Sequence, residues 1–127
     1  MLNTLSLYQI DALKQLTGFR HKFYEQGIYV PLRKTSKETI QKFIDIFCQH
    51  NFADTDYSVI QQEILESDSI DQWINTASLP AILKCFTYFI WTDKILDGYF
   101  ETRIKNRSIG KLLQRLEAVL LQEHIPA

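Results

Sequence analysis

Cysteine is scarce: the 127 residues hold two, Cys48 and Cys85, and no CxxC pair. A disulfide-stapled scaffold is therefore excluded. Both lie in apolar stretches, Ile46-Phe47-Cys48 and Lys84-Cys85-Phe86, which reads as two buried free thiols in a reducing compartment. Glycine is as thin, with four residues at 18, 27, 98 and 110. Neither a GxGxxG turn nor a P-loop can be assembled from them, so nucleotide chemistry by those routes is excluded. Three prolines leave no collagen-like or linker-like tract. No apolar run approaches the ~20 residues of a membrane span. The start, Met1-Leu2-Asn3-Thr4, lacks the basic and apolar regions of a secretory signal, which points to a cytoplasmic protein.

Catalytic signatures are missing too. The three histidines, His21, His50 and His124, form neither HExxH nor HxH. His21 and Glu25 are spaced i, i+4, but two ligands fall short of a metal site, so no metal and no cofactor is expected. Carboxylates occur in pairs, Asp54/Asp56, Glu63/Glu66, Asp68/Asp71 and Asp93/Asp97. Several of these acids stand where helix caps and turns are needed, and no catalytic residue is assigned.

What is present is a globular balance, 46% hydrophobic, 13% aromatic and 23% charged. Net charge is −1, but it is segregated: +4 over residues 1–42, −7 over 43–83 and +2 over 84–127. The middle segment holds no Lys or Arg at all. Either its carboxylates are solvated or paired with the basic flanks, or they form a docking surface that steers a basic partner.

Apolar periodicity is helical throughout. Residues 4–17 carry Leu5, Ile10, Leu13 and Leu16, with Gly18 as a stop. Phe19 to Gln26 reads as a second short helix closed by Gly27. Ile28-Tyr29-Val30 before Pro31 is an extended connection or an edge strand. Thr35 and Glu38 form a capping box for a helix with Ile40, Phe43, Ile44 and Phe47 on one face, ending near His50. Asp54 or Asp56 caps a helix using Tyr57, Ile60 and Ile64, and a turn with Ile70, Trp73 and Ile74 follows. Ser78 and Pro80 open the strongest pattern, Leu79, Ile82, Leu83, Phe86, Phe89 and Ile90, a central helix. A further short helix spans Asp93 to Asn106 with Ile95, Leu96, Phe100 and Ile104. Ser108 caps the last, with Ile109, Leu112, Leu113, Leu116, Val119 and Leu120 on one face. The expectation is all-α: one domain over residues 1–127, a compact irregular bundle of five to seven helices, with residues 122–127 fraying.

Three segments carry a resemblance. Ser78-Leu79-Pro80-Ala81-Ile82-Leu83-Lys84-Cys85-Phe86-Thr87 leads into Asp93-Lys94-Ile95-Leu96-Asp97-Gly98-Tyr99-Phe100, and Ile109-Gly110-Lys111-Leu112-Leu113-Gln114-Arg115-Leu116-Glu117 closes the pattern. Together they resemble a family of small bacterial helical proteins of uncharacterised function. That family shows a leucine-rich helix ending in Thr, an Asp-containing turn, an acidic-Gly segment and a terminal iLxRL helix. Gln49-His50-Asn51-Phe52 is similar to its enGF segment, and the resemblance spans roughly residues 36–119. The family's R-x-D/E-R-F is reduced here to Trp91-Thr92-Asp93-Lys94-Ile95, its Phe-Asp-Trp is only faintly echoed by Ala53-Asp54-Thr55-Asp56-Tyr57, and Asn106-Arg107 replaces its Gly before the last helix. The resemblance implies a helical bacterial cytosolic domain and carries no activity with it.

Three functional readings remain. The first is a non-enzymatic module that binds another protein with a basic surface, such as an inhibitor or immunity-type protein. Its contact residues are Asp54, Asp56, Glu63, Glu66, Asp68, Asp71 and the single tryptophan among them, Trp73. The second is a nucleic-acid-associated regulator using Arg107, Lys111 and Arg115, spaced i, i+4, i+8. The third is a small enzyme with a site near Asp93, Asp97 and Tyr99. Self-association is open, because apolar stripes serve dimer surfaces as well as cores.

Overall fold

The computed structural model describes residues 6–25, 30–31, 37–50, 52, 62 and 70–123. It begins with α1 (Leu7–Gly18), closed at its start by a reciprocal capping box. The Ser6 hydroxyl accepts the Gln9 N–H and the Gln9 side chain accepts the Ser6 N–H, both at 3.1 Å, satisfying two donors that a helix start would leave open. One turn, α2 (Arg20–Phe23), follows. The chain then extends as β1 (Tyr24–Glu25), paired antiparallel with β2 (Val30–Pro31) in the register Tyr24 to Pro31 and Glu25 to Val30. The second helix therefore stops at Phe23, and of the expected extended segment Val30, with Pro31, has a strand partner, while Ile28 and Tyr29 lie outside the described residues.

The amphipathic α3 (Lys37–Gln49) buries Ile40, Phe43 and Phe47. Its expected Thr35 cap lies outside the described residues. So does almost all of the helix expected from Asp54 or Asp56, of which Gln62 alone is described, in helical conformation. The segment with Ile70, Trp73 and Ile74 is a short helix, α4 (Ile70–Asn75), rather than a turn. Then come α5 (Leu79–Ile95), α6 (Tyr99–Lys105) and α7 (Ser108–Glu123). Ser78 caps α5 through Ala81 N–H, with Pro80 in the first turn. This is an all-α bundle. No helix among the described residues is long and apolar enough to cross a membrane.

Packing centres on phenylalanines. Phe43 of α3 lies 5.3 Å from Phe19, 5.4 Å from Phe86 and 5.5 Å from Phe100, ring centre to ring centre. One side chain thereby joins the first, middle and last thirds of the chain, at distances where aromatic pairs add to simple burial. α7 packs on α1, α2, α4, α5 and α6, and Ile109, Leu112, Leu113, Leu116, Val119 and Leu120 are all buried. Polar ties fix the seams. The Gln9 side chain donates to the His50 carbonyl at 3.0 Å, holding the start of α1 on the end of α3. The Tyr24 hydroxyl donates to the Ile104 carbonyl at 2.7 Å and accepts the Gly110 N–H at 2.9 Å.

Two expected boundaries differ. α5 continues through Asp93, Lys94 and Ile95 and ends at Leu96, where the backbone turns extended. The turn closes at Gly98, whose φ of 85° is left-handed, a conformation glycine adopts without steric cost. Ile95 and Leu96, expected on a buried stripe, are 82% and 57% exposed, because they sit at the outer end of α5 rather than inside a following helix. Ser108 is not the cap of α7 but its first residue, and it is buried. The Asn106 side chain instead accepts the Ser108 N–H at 3.0 Å, and Arg107 takes a left-handed φ of 73° to make that turn.

Candidate functional site

The α5–α6 turn is organised by one carboxylate. Asp93, near the end of α5, accepts the N–H of Phe100 at 2.9 Å. That N–H belongs to the first turn of α6, where Gly98 occupies the cap position and offers no side chain. Asp93 therefore caps α6 from the preceding helix, and its negative charge suits that helix's positive end. The buried Phe100 ring then anchors α6 against Phe43.

This geometry opens a cleft of about 220 Å³ between α3 and the turn. The turn contributes Asp93, Asp97, Gly98 and Glu101; α3 contributes Lys37, Ile40, Gln41 and Ile44. Three carboxylates thus face one ammonium. Glu101 is paired with Lys105 at 3.3 Å and Gln41 donates to Asp45 at 2.8 Å. Asp97 is exposed and makes no hydrogen bond or ion pair among the described residues. Ile95 and Leu96, which precede it in the chain, are exposed as well. Small-molecule pockets run to about 300–1,000 Å³, so the cleft suits a single inserted side chain better than a whole small ligand. A broader groove of about 430 Å³ lies between the end of α1 and α3; its one carboxylate, Asp45, is already bonded by Gln41.

The chain matches the model of a family of unknown function, DUF6508, over residues 7–122. It belongs to that family. The match extends beyond the segments that carried the resemblance in the sequence, taking in α1 and most of α7. No curated protein and no solved structure matches the chain significantly.

The remaining sequence candidates fall as follows. Asp54, Asp56, Glu63, Glu66 and Asp68 lie outside the described residues, and Asp71 falls on α4. Trp73 is half-buried and packs against the core. Of the basic series, Arg107 precedes α7 in its left-handed turn, so the helical spacing holds only for Lys111 and Arg115. Arg115 turns its Nε to the Ala77 carbonyl at 3.0 Å, tying the α4–α5 junction to α7.

His21 and Glu25 do not share a helix face, because α2 ends between them and Glu25 is in β1. Among the described residues no three His, Cys, Asp or Glu side chains converge on a metal position. His50 stacks on Phe52 at 6.2 Å, and His124 lies outside the described residues.

The thiols differ from expectation. Cys85 is buried, and burial pushes its thiol well up, against the pull of Arg103. Cys48 is exposed, because it stands one residue, about 100° of helix turn, from the inward Phe47. Desolvation still raises its thiol, outweighing the nearby Lys94 charge. Neither is set up as a thiolate nucleophile.

The residues that sequence reasoning did not place at the cleft are Lys37, Gln41 and Glu101. Glu101 carried a signal, standing four residues after Asp97 in the acidic-Gly segment. Lys37 and Gln41 carried none, since their approach depends on how α3 packs on a turn sixty residues away.

Proposed function

We propose that the chain is a non-enzymatic protein-binding module that takes a basic, partly apolar segment of another protein on the α5–α6 turn. The observation that supports it is the pairing of carboxylates with exposed aliphatic side chains. Asp93, Asp97 and Glu101 line a cleft sized for one side chain, and Ile95 and Leu96, in the same stretch of chain, are 82% and 57% exposed. A lysine or arginine entering the cleft would meet Asp97, while its apolar neighbours cover Ile95 and Leu96. Exposed aliphatic side chains of this size on the turn that borders a charged cleft suit an interface better than open water. An inhibitor or immunity-type role, masking a basic surface, is the version of this reading that the acid-rich segment 43–83 extends.

The test uses the full chain as bait in lysate of its native source, beside a Leu96→Ser/Asp97→Lys double variant, with and without nuclease. The reading expects a partner that survives nuclease, elutes as salt rises, and binds the variant about tenfold more weakly, a rim-charge and anchor effect. Equal capture by the variant overturns it. Loss of capture on nuclease treatment would transfer the function to Lys111 and its basic neighbours.

A further inference from the structure

On the other side of α6, Arg103 is held unusually firmly for a half-buried cation without a carboxylate. Its Nε donates to the Tyr99 hydroxyl at 2.9 Å. Its guanidinium carbon lies 4.9 Å from the centre of the Phe89 ring and 5.2 Å from that of Tyr99, within the range of cation–π attraction. Tyr99 is itself braced: its ring lies 6.0 Å from that of Phe89 and 6.3 Å from that of Tyr88.

Of the five N–H donors on a guanidinium, Tyr99 takes one. The four on the terminal nitrogens bond no carboxylate among the described residues, whose ion pairs are Arg20–Glu117, Lys42–Glu38 and Lys105–Glu101. Packing a guanidinium on two rings removes part of its water without supplying an anion. The arrangement leaves a planar fork whose orientation is already fixed, the geometry that recognises carboxylate or phosphate oxygens in pairs.

We infer that Arg103, braced by Tyr99 and Phe89, binds the oxyanion group of a ligand, a carboxylate or a phosphate, through its terminal guanidinium nitrogens. The ordering of the side chain precedes the ligand, so its entropic cost does not fall on binding. The inference is independent of the protein-binding reading, since it uses none of the cleft residues.

The test is an NMR titration of the full chain with sodium phosphate and, separately, sodium acetate, each against sodium chloride at equal ionic strength. The Arg103 Nε–H signal is followed. A saturable shift with either oxyanion and not with chloride is expected; phosphate alone indicates a phosphate-bearing ligand, and acetate a carboxylate-bearing one. Arg103→Lys keeps the charge but not the fork, and should bind at least about tenfold more weakly, read from its backbone amide shifts. Should that variant fail to fold, Tyr99→Phe decides: it keeps the ring and loses the Nε acceptor, and a several-fold weaker affinity is expected. Absence of saturation with both oxyanions, or unchanged affinity in the variant, overturns the inference.

Discussion

The Tyr24 hydroxyl accepts the N–H of Gly110, 86 residues away in sequence, at 2.9 Å. Gly110 is the third residue of α7, so its N–H is among the donors a helix start cannot satisfy internally. A phenol on a two-residue strand does the work of a cap. Removing it in Tyr24→Phe leaves that N–H unpaired in a buried seam and takes from the Ile104 carbonyl one of its donors, the Arg107 N–H remaining at 3.0 Å. The expected loss is about 2 kcal/mol in urea-unfolding stability.

The same hydroxyl sets an alkaline limit. Burial, the largest influence, raises the Tyr24 phenol above its ordinary value; Gly110 and Arg107 act the other way and do not cancel it. A folded-state value above the unfolded one means that the protonated phenol is the stabilising form. Its contribution is complete below about pH 10 and is lost as pH climbs above that. Tyr24→Phe should flatten the fall in stability between about pH 10 and 12 relative to the parent. Parallel curves would show that Tyr24 has no part in it.

At the α5–α6 turn, Gly98→Ala should cost about 1–2 kcal/mol, because φ of 85° strains any residue with a Cβ. No heavy atom lies within 4 Å of the added carbon, so the loss reports backbone conformation rather than a clash. Asp93→Ala should cost a further ~1 kcal/mol through the lost cap on Phe100. Thermal unfolding of the two single variants and the double measures both. The double falls short of additivity if the turn acts as one unit.

The thiols should separate by reactivity. Iodoacetamide on the native chain should modify Cys48 and spare Cys85, read by mass spectrometry, since Cys48 is exposed and Cys85 buried. Labelling of Cys48 should be slow at neutral pH and accelerate as pH rises, because its thiol is raised. Equal labelling of both would mean that α5 opens readily.

Arg115→Gln should weaken the junction of α4 and α5 with α7. The Arg115 Nε bond to Ala77 is charge-assisted, and its loss should cost about 1–2 kcal/mol. Hydrogen exchange at the Ile74–Ala77 amides should rise more than exchange in α1. A uniform rise would assign the effect to global stability instead.

The helices were legible because their stripes are local. Ile109 through Leu120 repeat at the helical period and are buried together, and Ser78 with Pro80 marks the start of α5 by local chemistry. The cleft was legible only in part: Asp93 and Asp97 stood out beside Gly98, but Asp93's role depends on an N–H seven residues on. Ile95 and Leu96 looked like core because period alone does not reveal where a helix leaves its neighbours. Cys48 looked buried because its sequence neighbours are apolar, whereas burial on a helix follows the face and not the neighbour. Tyr24, read as part of a helix, gave no hint of its reach to Gly110.

α7 supplies the surface on which α1, α2, α4, α5 and α6 all rest, and it is the last of these elements to be synthesised. During translation the apolar faces of the earlier helices have only one another to cover them until α7 leaves the ribosome exit tunnel. The nascent chain therefore passes through an interval in which the faces of α1 and α6 that pack on α7 lack its cover. Chains stalled short of α7 are the form that chaperones and proteases would meet first.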